Sequence, residues 1–406
     1  MIKINCKVLV RMLTDMRRAL GIVRNSDHPV SFIVDRNSTS IRVANSEASL
    51  ACQLASVNGN NLEVALPMRA FSSVSNLATQ ELQIDRMGED VTLVSCDAKG
   101  VRTTLTEKHL TPAAERTNST QSEPPPAEPE WLVSNNSQLG RVLHQAARIS
   151  DPESTRYSLG CIRLRGSDGQ VAATDSRQAY AVSGFAFPVD EVLVAGAVIS
   201  KLPCIANCSS ISIGRADSWL AIRCAVGTQR WSIDLKIPDK GRFPNVDQCF
   251  PAVESARSEL TVSEQDALYL LKHLRELLGT SKESNPVTLD LVHDRVQGKQ
   301  IAQLRFRRHE LGRIESNAPL IEITLDSSRV GPIPIPIPMR VAIDSHYLLN
   351  ALKIGFRKIH LQSAGFPIFC MDGRSKFVWT ALHESLTICP TPGMTTISTS
   401  RSVVAA

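Results

Sequence analysis

Lysine and arginine recur at helical spacing opposite apolar stripes along this sequence, and cations placed that way can neutralise a polyanion without any covalent chemistry. Between residues 7 and 21, Leu9, Leu13, Met16 and Leu20 share one stripe and Lys7, Arg11 and Arg18 lie on the opposite side. Leu139, Val142, Leu143 and Ala146 make a second stripe, backed by Arg141 and Arg148 with His144 beside them. Ala267, Leu271, Leu274 and Leu278 make a third, backed by Lys272. Later helices are expected at 67–77, 195–206 and 345–356; the first carries Arg69, and the last carries Lys353 and Arg357. One such helix is ordinarily a solvated face. Recurrence over five helices, in a chain with 45 basic and 40 acidic residues and a net charge of +5, points to a shared basic surface.

Residues for bond-making chemistry do not assemble in the same way. There is no G-x-x-x-x-G-K-[ST], G-x-G-x-x-G or G-x-S-x-G, and His309-Glu310 is followed by Leu-Gly-Arg rather than completing H-E-x-x-H. The nine histidines stand singly, and Glu89-Asp90 and the Asp294/Glu283 pair lack metal-ligand spacing. The ten cysteines include no C-x-x-C; Cys204 and Cys208 come closest, and all read as small buried hydrophobes. The expectation is a protein without catalytic residues, metal or cofactor.

The elements that must position the basic residues come in a repeated order of helix, strands, helix, strands. Alternating stretches within residues 40–43, 161–164 and 303–307 read as strands after the first helix of each repeat, and 91–95, 210–213 and 358–362 as strands after the second. A Pro-, Ser- and Glu-rich run, TPAAERTNSTQSEPPPAEPE at 111–130, marks a linker, and further breaks fall at 241–251 and after 385. The reading is α+β, with three repeated domains per chain, each packing two helices on antiparallel sheet. Their boundaries are 1–115, 131–252 and 253–385, with the linker at 116–130 and a flexible tail at 386–406. Apolar runs fall short of the ~18 residues of a membrane span, and the start lacks the apolar core of a signal peptide, so the cytoplasm is the expected compartment.

Four motifs carry a resemblance to a known family. Ala173-Thr174-Asp175-Ser176-Arg177, Lys240-Gly241-Arg242-Phe243-Pro244, Tyr347-Leu348-Leu349-Asn350-Ala351-Leu352-Lys353 and Phe366-Pro367-Ile368 occur in order. Together they resemble the beta subunit of bacterial DNA polymerase III, the replicative sliding clamp. The resemblance covers residues 1 to about 385 and implies a ring-forming DNA-clamp fold. Two chains would join head to tail around duplex DNA, held without sequence readout, and confer processivity on a replicative polymerase after placement by a clamp loader. It implies that Lys7, Arg11, Arg18, Arg69, Arg141, Arg148, Lys272, Lys353 and Arg357 face the DNA. It places Thr103 and Leu105 of one copy against Leu277 and Leu278 of the other, and a partner-peptide groove at Arg156, Leu159, Thr174, Ser176, Arg177, Pro244, Cys249, Phe366, Val378 and Thr380. The segment from Leu386 onward begins beside this groove and is expected to be able to fold back into it. Departures from the family pattern stand at Gln178-Ala179, at Thr103 and at the terminus after Thr380. They support an alternative, a clamp-fold paralogue that recruits proteins through an altered groove.

Overall fold

The computed structural model describes residues 2–35, 38–55, 61–72, 79–97, 102–110, 129, 132–238, 241–278, 285–294, 299–308, 319–331 and 339–400. Apart from residue 129, the linker expected at 116–130 lies outside them, as do residues 73–77 of an expected helix. The chain divides into two compact units, unit 1 (Met1–Ala173 with Ser183–Phe243) and unit 2 (Thr174–Val182 with Pro244–Ala406).

The order of elements repeats three times. The first round is β1 (Ile2–Asn5), α1 (Cys6–Ala19), β2 (Pro29–Val34), β3 (Ser38–Ala44), β4 (Ala48–Ala55), β5 (Leu62–Pro67), a 3-10 turn (Met68–Phe71), β6 (Thr79–Met87), β7 (Asp90–Asp97) and β8 (Arg102–Lys108). The second is β9 (Val133–Asn135), α2 (Gln138–Ile149), β10 (Cys161–Arg165), β11 (Gln170–Thr174), β12 (Gln178–Val182), β13 (Glu191–Ala195), α3 (Gly196–Ser200), α4 (Pro203–Ala206), β14 (Ser210–Ala216), β15 (Trp219–Val226) and β16 (Gln229–Lys236). The third is β17 (Ser258–Thr261), α5 (Glu264–Leu278), β18 (Pro286–Asp294), β19 (Lys299–Arg307), β20 (Leu320–Leu325), β21 (Arg329–Val330), β22 (Met339–Asp344), α6 (Ser345–Ile354), β23 (Lys358–Leu361), β24 (Ile368–Asp372) and β25 (Ser375–Trp379), after which the chain adds β26 (Thr395–Ser398).

In unit 1, β1-β6-β7-β8 form one sheet and β5-β2-β3-β4-β16-β15-β14-β9 a second, while β13-β10-β11 run side by side. The second sheet is continuous between rounds because β4 pairs antiparallel with β16, from Ala48 opposite Leu235 to Gln53 opposite Arg230. In unit 2 the order β12-β25-β24-β23-β17-β21 includes a like junction, with Gln178 opposite Trp379 and Val182 opposite Ser375. The other sheet of unit 2 is β22-β18-β19-β20-β26. Alternation builds these layers: Val30, Phe32 and Val34 point inward from β2, and Ile321, Ile323 and Leu325 from β20.

The helices form where the stripes predict them. Asn5 caps α1 by accepting from Val8 N at 3.2 Å, and Leu9, Met12, Leu13 and Met16 bury beneath it. Asp344 caps α6 by accepting from His346 N at 2.9 Å, and Gly355 ends that helix at φ 113°, in the left-handed region. Gly140 lets α2 approach α4, since a Cβ there would sit 2.1 Å from the Ile205 carbonyl oxygen and 2.6 Å from Cys208 Sγ.

Several expectations need correction. The helix expected at 67–77 begins as a 3-10 turn over Met68–Phe71. The one expected at 195–206 breaks into α3 and α4, because Pro203 has no N–H to continue the first piece and instead starts the second. On α5 it is Leu270, not Leu271, that joins Ala267, Leu274 and Leu278 in the core. The tail from 386 is not simply flexible: Thr395–Ser398 pairs in parallel with β20, and Thr399 is fully buried. Its strand therefore lies on the edge of β20, in a different sheet from the strand carrying Val378. Of the nine cysteines whose side chains are described, seven are buried, and burial raises the thiol of Cys52 to about 12 and that of Cys161 to about 11. No described helix is long and apolar enough to cross a membrane.

Candidate nucleic-acid interface

On unit 1, α1 exposes Lys7, Arg11 and Arg18, and α2 exposes Arg141 and Arg148. The amphipathic stripe fixes this placement, because burying Leu9 and Leu13, or Leu139 and Leu143, forces the intervening cations outward. Asp15, half-buried between Arg11 and Arg18, has its pKa raised by burial, which outweighs the pull of the two guanidiniums. Burial lowers the pKa of His144, aided by Arg148, and so disfavours its charged form.

Two cavities flank α1. One of about 310 Å³ is lined by Lys7, Arg11 and Asp15 together with Pro203, Asn207 and Gln229. The other, of about 340 Å³, has Arg17, Arg18 and Arg24 around a floor of Leu13, Met68 and Phe71. Arg17 donates to the Ile22 carbonyl at 3.2 Å and Arg24 to the Ser72 carbonyl at 3.0 Å, so backbone oxygens hold both guanidiniums at the rim. The sequence pattern missed Arg17 and Arg24, since neither lies opposite the apolar stripe.

Other expected DNA-facing residues have protein partners. Arg69 donates to Asp27 at 2.6 Å and Glu107 at 2.8 Å, and these contacts raise its pKa. Arg357 grips Glu264 at 2.8 and 3.0 Å and donates to the Leu352 and Phe356 carbonyls at 3.0 Å, closing the end of α6 onto the start of α5. Lys272 and Lys353 are exposed on α5 and α6. Among the residues expected at the contact between copies, Thr103 is exposed and Leu105 half-buried on β8, while Leu277 is half-buried. Leu278, at 2% exposure, belongs to the core of its own unit; Leu268, 57% exposed on the same helix, is the open leucine there.

Of the expected groove residues, Arg156 and Leu159 belong to unit 1 and the other eight to unit 2. Leu159 is buried and Arg156 exposed. The Thr174–Arg177 motif is a turn that its own side chains make. Asp175 accepts from Arg177 N and Gln178 N at 2.8 Å each, and Thr174 Oγ1 donates to the Gln178 carbonyl at 2.6 Å. Ser176 sits at φ 79°, a left-handed conformation that serine enters at a cost. Thr380 N donates to the Arg177 carbonyl at 2.9 Å, and Asn350 donates to Gln178 at 3.3 Å, so the turn, α6 and β25 are tied together. Burial, with Asp175 and Asp344 nearby, pushes the Tyr347 hydroxyl up to about 12. Val378 is buried, whereas Pro244, Cys249, Thr380 and Phe366 are exposed, Phe366 by 54%. Among the described residues no cluster of His, Cys, Asp and Glu is arranged to hold a metal.

The fold recurs in solved structures. The beta subunit of DNA polymerase from Streptococcus pyogenes superposes with a TM-score of 0.68 at 14% identity, covering 94% of this chain and 99% of that one. The chain has the fold of a beta sliding clamp. The Pseudomonas aeruginosa sliding clamp bound to griselimycin gives 0.68 at 14% identity, with 94% and 99% coverage. The Helicobacter pylori beta clamp bound to a DNA ligase peptide gives 0.67 at 12%, with the same coverage. No family model and no curated protein matches the sequence. The clamp likeness is thus one of fold, at 12–14% identity.

Proposed function

We propose that this chain is a DNA sliding clamp, a non-catalytic accessory subunit that encircles duplex DNA in the cytoplasm and tethers a replicative polymerase. The observation that carries the reading is the clamp fold over 94% of the chain, combined with outward-facing cations on α1 and α2. A second copy would close the ring head to tail, three domains from each chain. Phosphate contacts would then be sequence-independent and salt-sensitive, since each neutralised phosphate releases about 0.9 of a counterion. Processivity follows from effective concentration, because a tethered polymerase stays near its primer end.

Partner peptides would dock at the turn holding Thr174, Ser176 and Arg177, with Pro244, Cys249, Phe366 and Val378 supplying apolar contact and Thr380 polar contact. The ligase peptide on the Helicobacter pylori clamp supports a site of this class. A second reading, a clamp-fold protein that recruits partners without enclosing DNA, is favoured by the extra strand on the edge of β20. Incubation with a clamp loader on circular and linear DNA separates the two. A clamp is retained on the circle and lost from the line, whereas equal retention or none on both favours the recruiting scaffold.

A further inference from the structure

The three rounds place their sheet edges in a series. In each round the third strand after the first helix is β4, β12 or β20, and the last strand is β8, β16 or β25. β4 pairs antiparallel with β16, and β12 pairs antiparallel with β25. The series leaves β20 and β8. β8 is the terminal strand of its sheet, but β20 carries β26, which runs parallel to it with Ile321 opposite Thr395 and Thr324 opposite Ser398.

The two strands that bear on this edge resemble each other. β26 reads Thr395-Thr396-Ile397-Ser398, and β8 contains Thr103-Thr104-Leu105-Thr106. Both present two threonines, an aliphatic residue and a hydroxyl. β26 buries little, since Thr395 and Thr396 are exposed and Ile397 is half-buried. Hydrogen bonds hold it instead. Thr399 Oγ1 donates to the buried Asp266 at 2.5 Å, while the Ser398 and Ser400 hydroxyls donate to Asp326 at 2.5 and 2.9 Å. Asp266 also receives Ser328 Oγ at 2.6 Å and Ser327 N at 3.1 Å, which ties the latch to the first turn of α5. An edge strand held by polar contacts, with almost no apolar area behind it, can be displaced by a competitor of equal hydrogen-bonding capacity.

We propose that residues 395–400 are a cap in cis, occupying the edge of β20 in parallel register and withholding it from β8 of a second copy. The two strands compete for one edge, and head-to-tail association waits on displacement of the cap. This rests on the ring closure proposed above. A tethered strand acts at an effective concentration on the order of millimolar, against a micromolar second copy, so the cap wins at ordinary protein concentration.

Sedimentation of the full chain, of a chain ending at Pro392, and of the Thr399→Asp variant tests this. The full chain is expected to be monomeric at low micromolar concentration. The shortened chain should dimerise roughly a hundredfold more tightly. Thr399→Asp, which sets a second carboxylate against Asp266, should shift the same way, and Leu105→Asp in the shortened chain should return it to monomer. Equal dimerisation of the full and shortened chains overturns the cap and leaves ring closure standing. Monomers throughout overturn the second copy as the competitor, and ring closure with it.

Discussion

The helices α1 and α2 of unit 1 carry six cations against one carboxylate, whereas α5 and α6 of unit 2 carry three against three. Both units also turn an arginine inward, Arg163 (4% exposed) in unit 1 and Arg305 in unit 2, and the second sits in a buried carboxylate network. Arg305, 2% exposed, pairs with the fully buried Asp290 and with Glu322 at 2.7 Å, and Arg340 reaches Asp290 at 2.8 Å. Burial opposes the charge on Arg305, but its contacts with Asp290 and Glu322 prevail and raise its pKa. One architecture thus uses guanidinium in two ways, outward toward solvent and inward to fix a sheet.

The largest test of that contrast is Asp290→Ala. It leaves Arg305 charged and under-paired in the interior, and unit 2 should lose about 3–5 kcal/mol in urea unfolding. Asp234→Ala in unit 1 breaks a pair with Arg223 at 2.8 Å whose side chains keep 11% and 16% exposure, against 0% and 2% for Asp290 and Arg305, and should cost only about 1–2 kcal/mol. Equal costs would erase the distinction between the units.

Next in size is charge reversal on the helices. Arg11→Glu with Arg148→Glu removes two proposed phosphate contacts and should flatten the slope of log affinity against log salt by about two, with stability unchanged. Lys272→Glu with Lys353→Glu, on the balanced helices, should change retention on circular DNA less. The reverse order would place the polyanion on unit 2.

Arg357→Ala sharpens the comparison further, because this cation sits on a helix end yet is held by Glu264. Loss of about 1 kcal/mol with unaltered DNA retention is expected. A retention defect without a stability change would assign Arg357 to the outward group.

The smallest effect is pH dependence. Burial lowers the pKa of His28, His109 and His144 in unit 1 and of His360 in unit 2, each from 6.5. In that window the unfolded chain binds more protons than the native one, so stability is full above about pH 6.5 and falls as pH drops below it. Thermal melts between pH 7.5 and 5.5 should show the loss, and replacing the three unit 1 histidines should reduce it more than His360→Gln.

The cations of α1 and α2 were legible because Leu9, Leu13, Leu139 and Leu143 recur at the period of a helix that packs on one side. The motif at 173–177 was legible as a resemblance, and its physical content is a turn that Asp175 closes with its own carboxylate. The inward arginines were not. Arg305 and Arg340 alternate with apolar residues on strands, the pattern of a solvent-facing side chain, and only the partners on β18 and β20 reverse that reading. β26 was hidden for a related reason: Thr-Thr-Ile-Ser is too short and polar to announce a strand, and its pairing depends on an edge over seventy residues away. Leu278 reads both as part of the third stripe and as a residue between copies, and its burial fits the stripe.

Gly140 has a bearing on the basic surface as well as on packing. With no side chain to hold α2 off α4, the helix rests on the Ile205 backbone like a rule laid against a stop. Arg141 follows directly, and Arg148 stands seven residues on, roughly 10 Å further along the axis. That span matches about three phosphate steps of one DNA strand at about 3.4 Å each. A methyl group at position 140 would shift both guanidiniums together, preserving their separation while changing their phase along the duplex proposed as the partner.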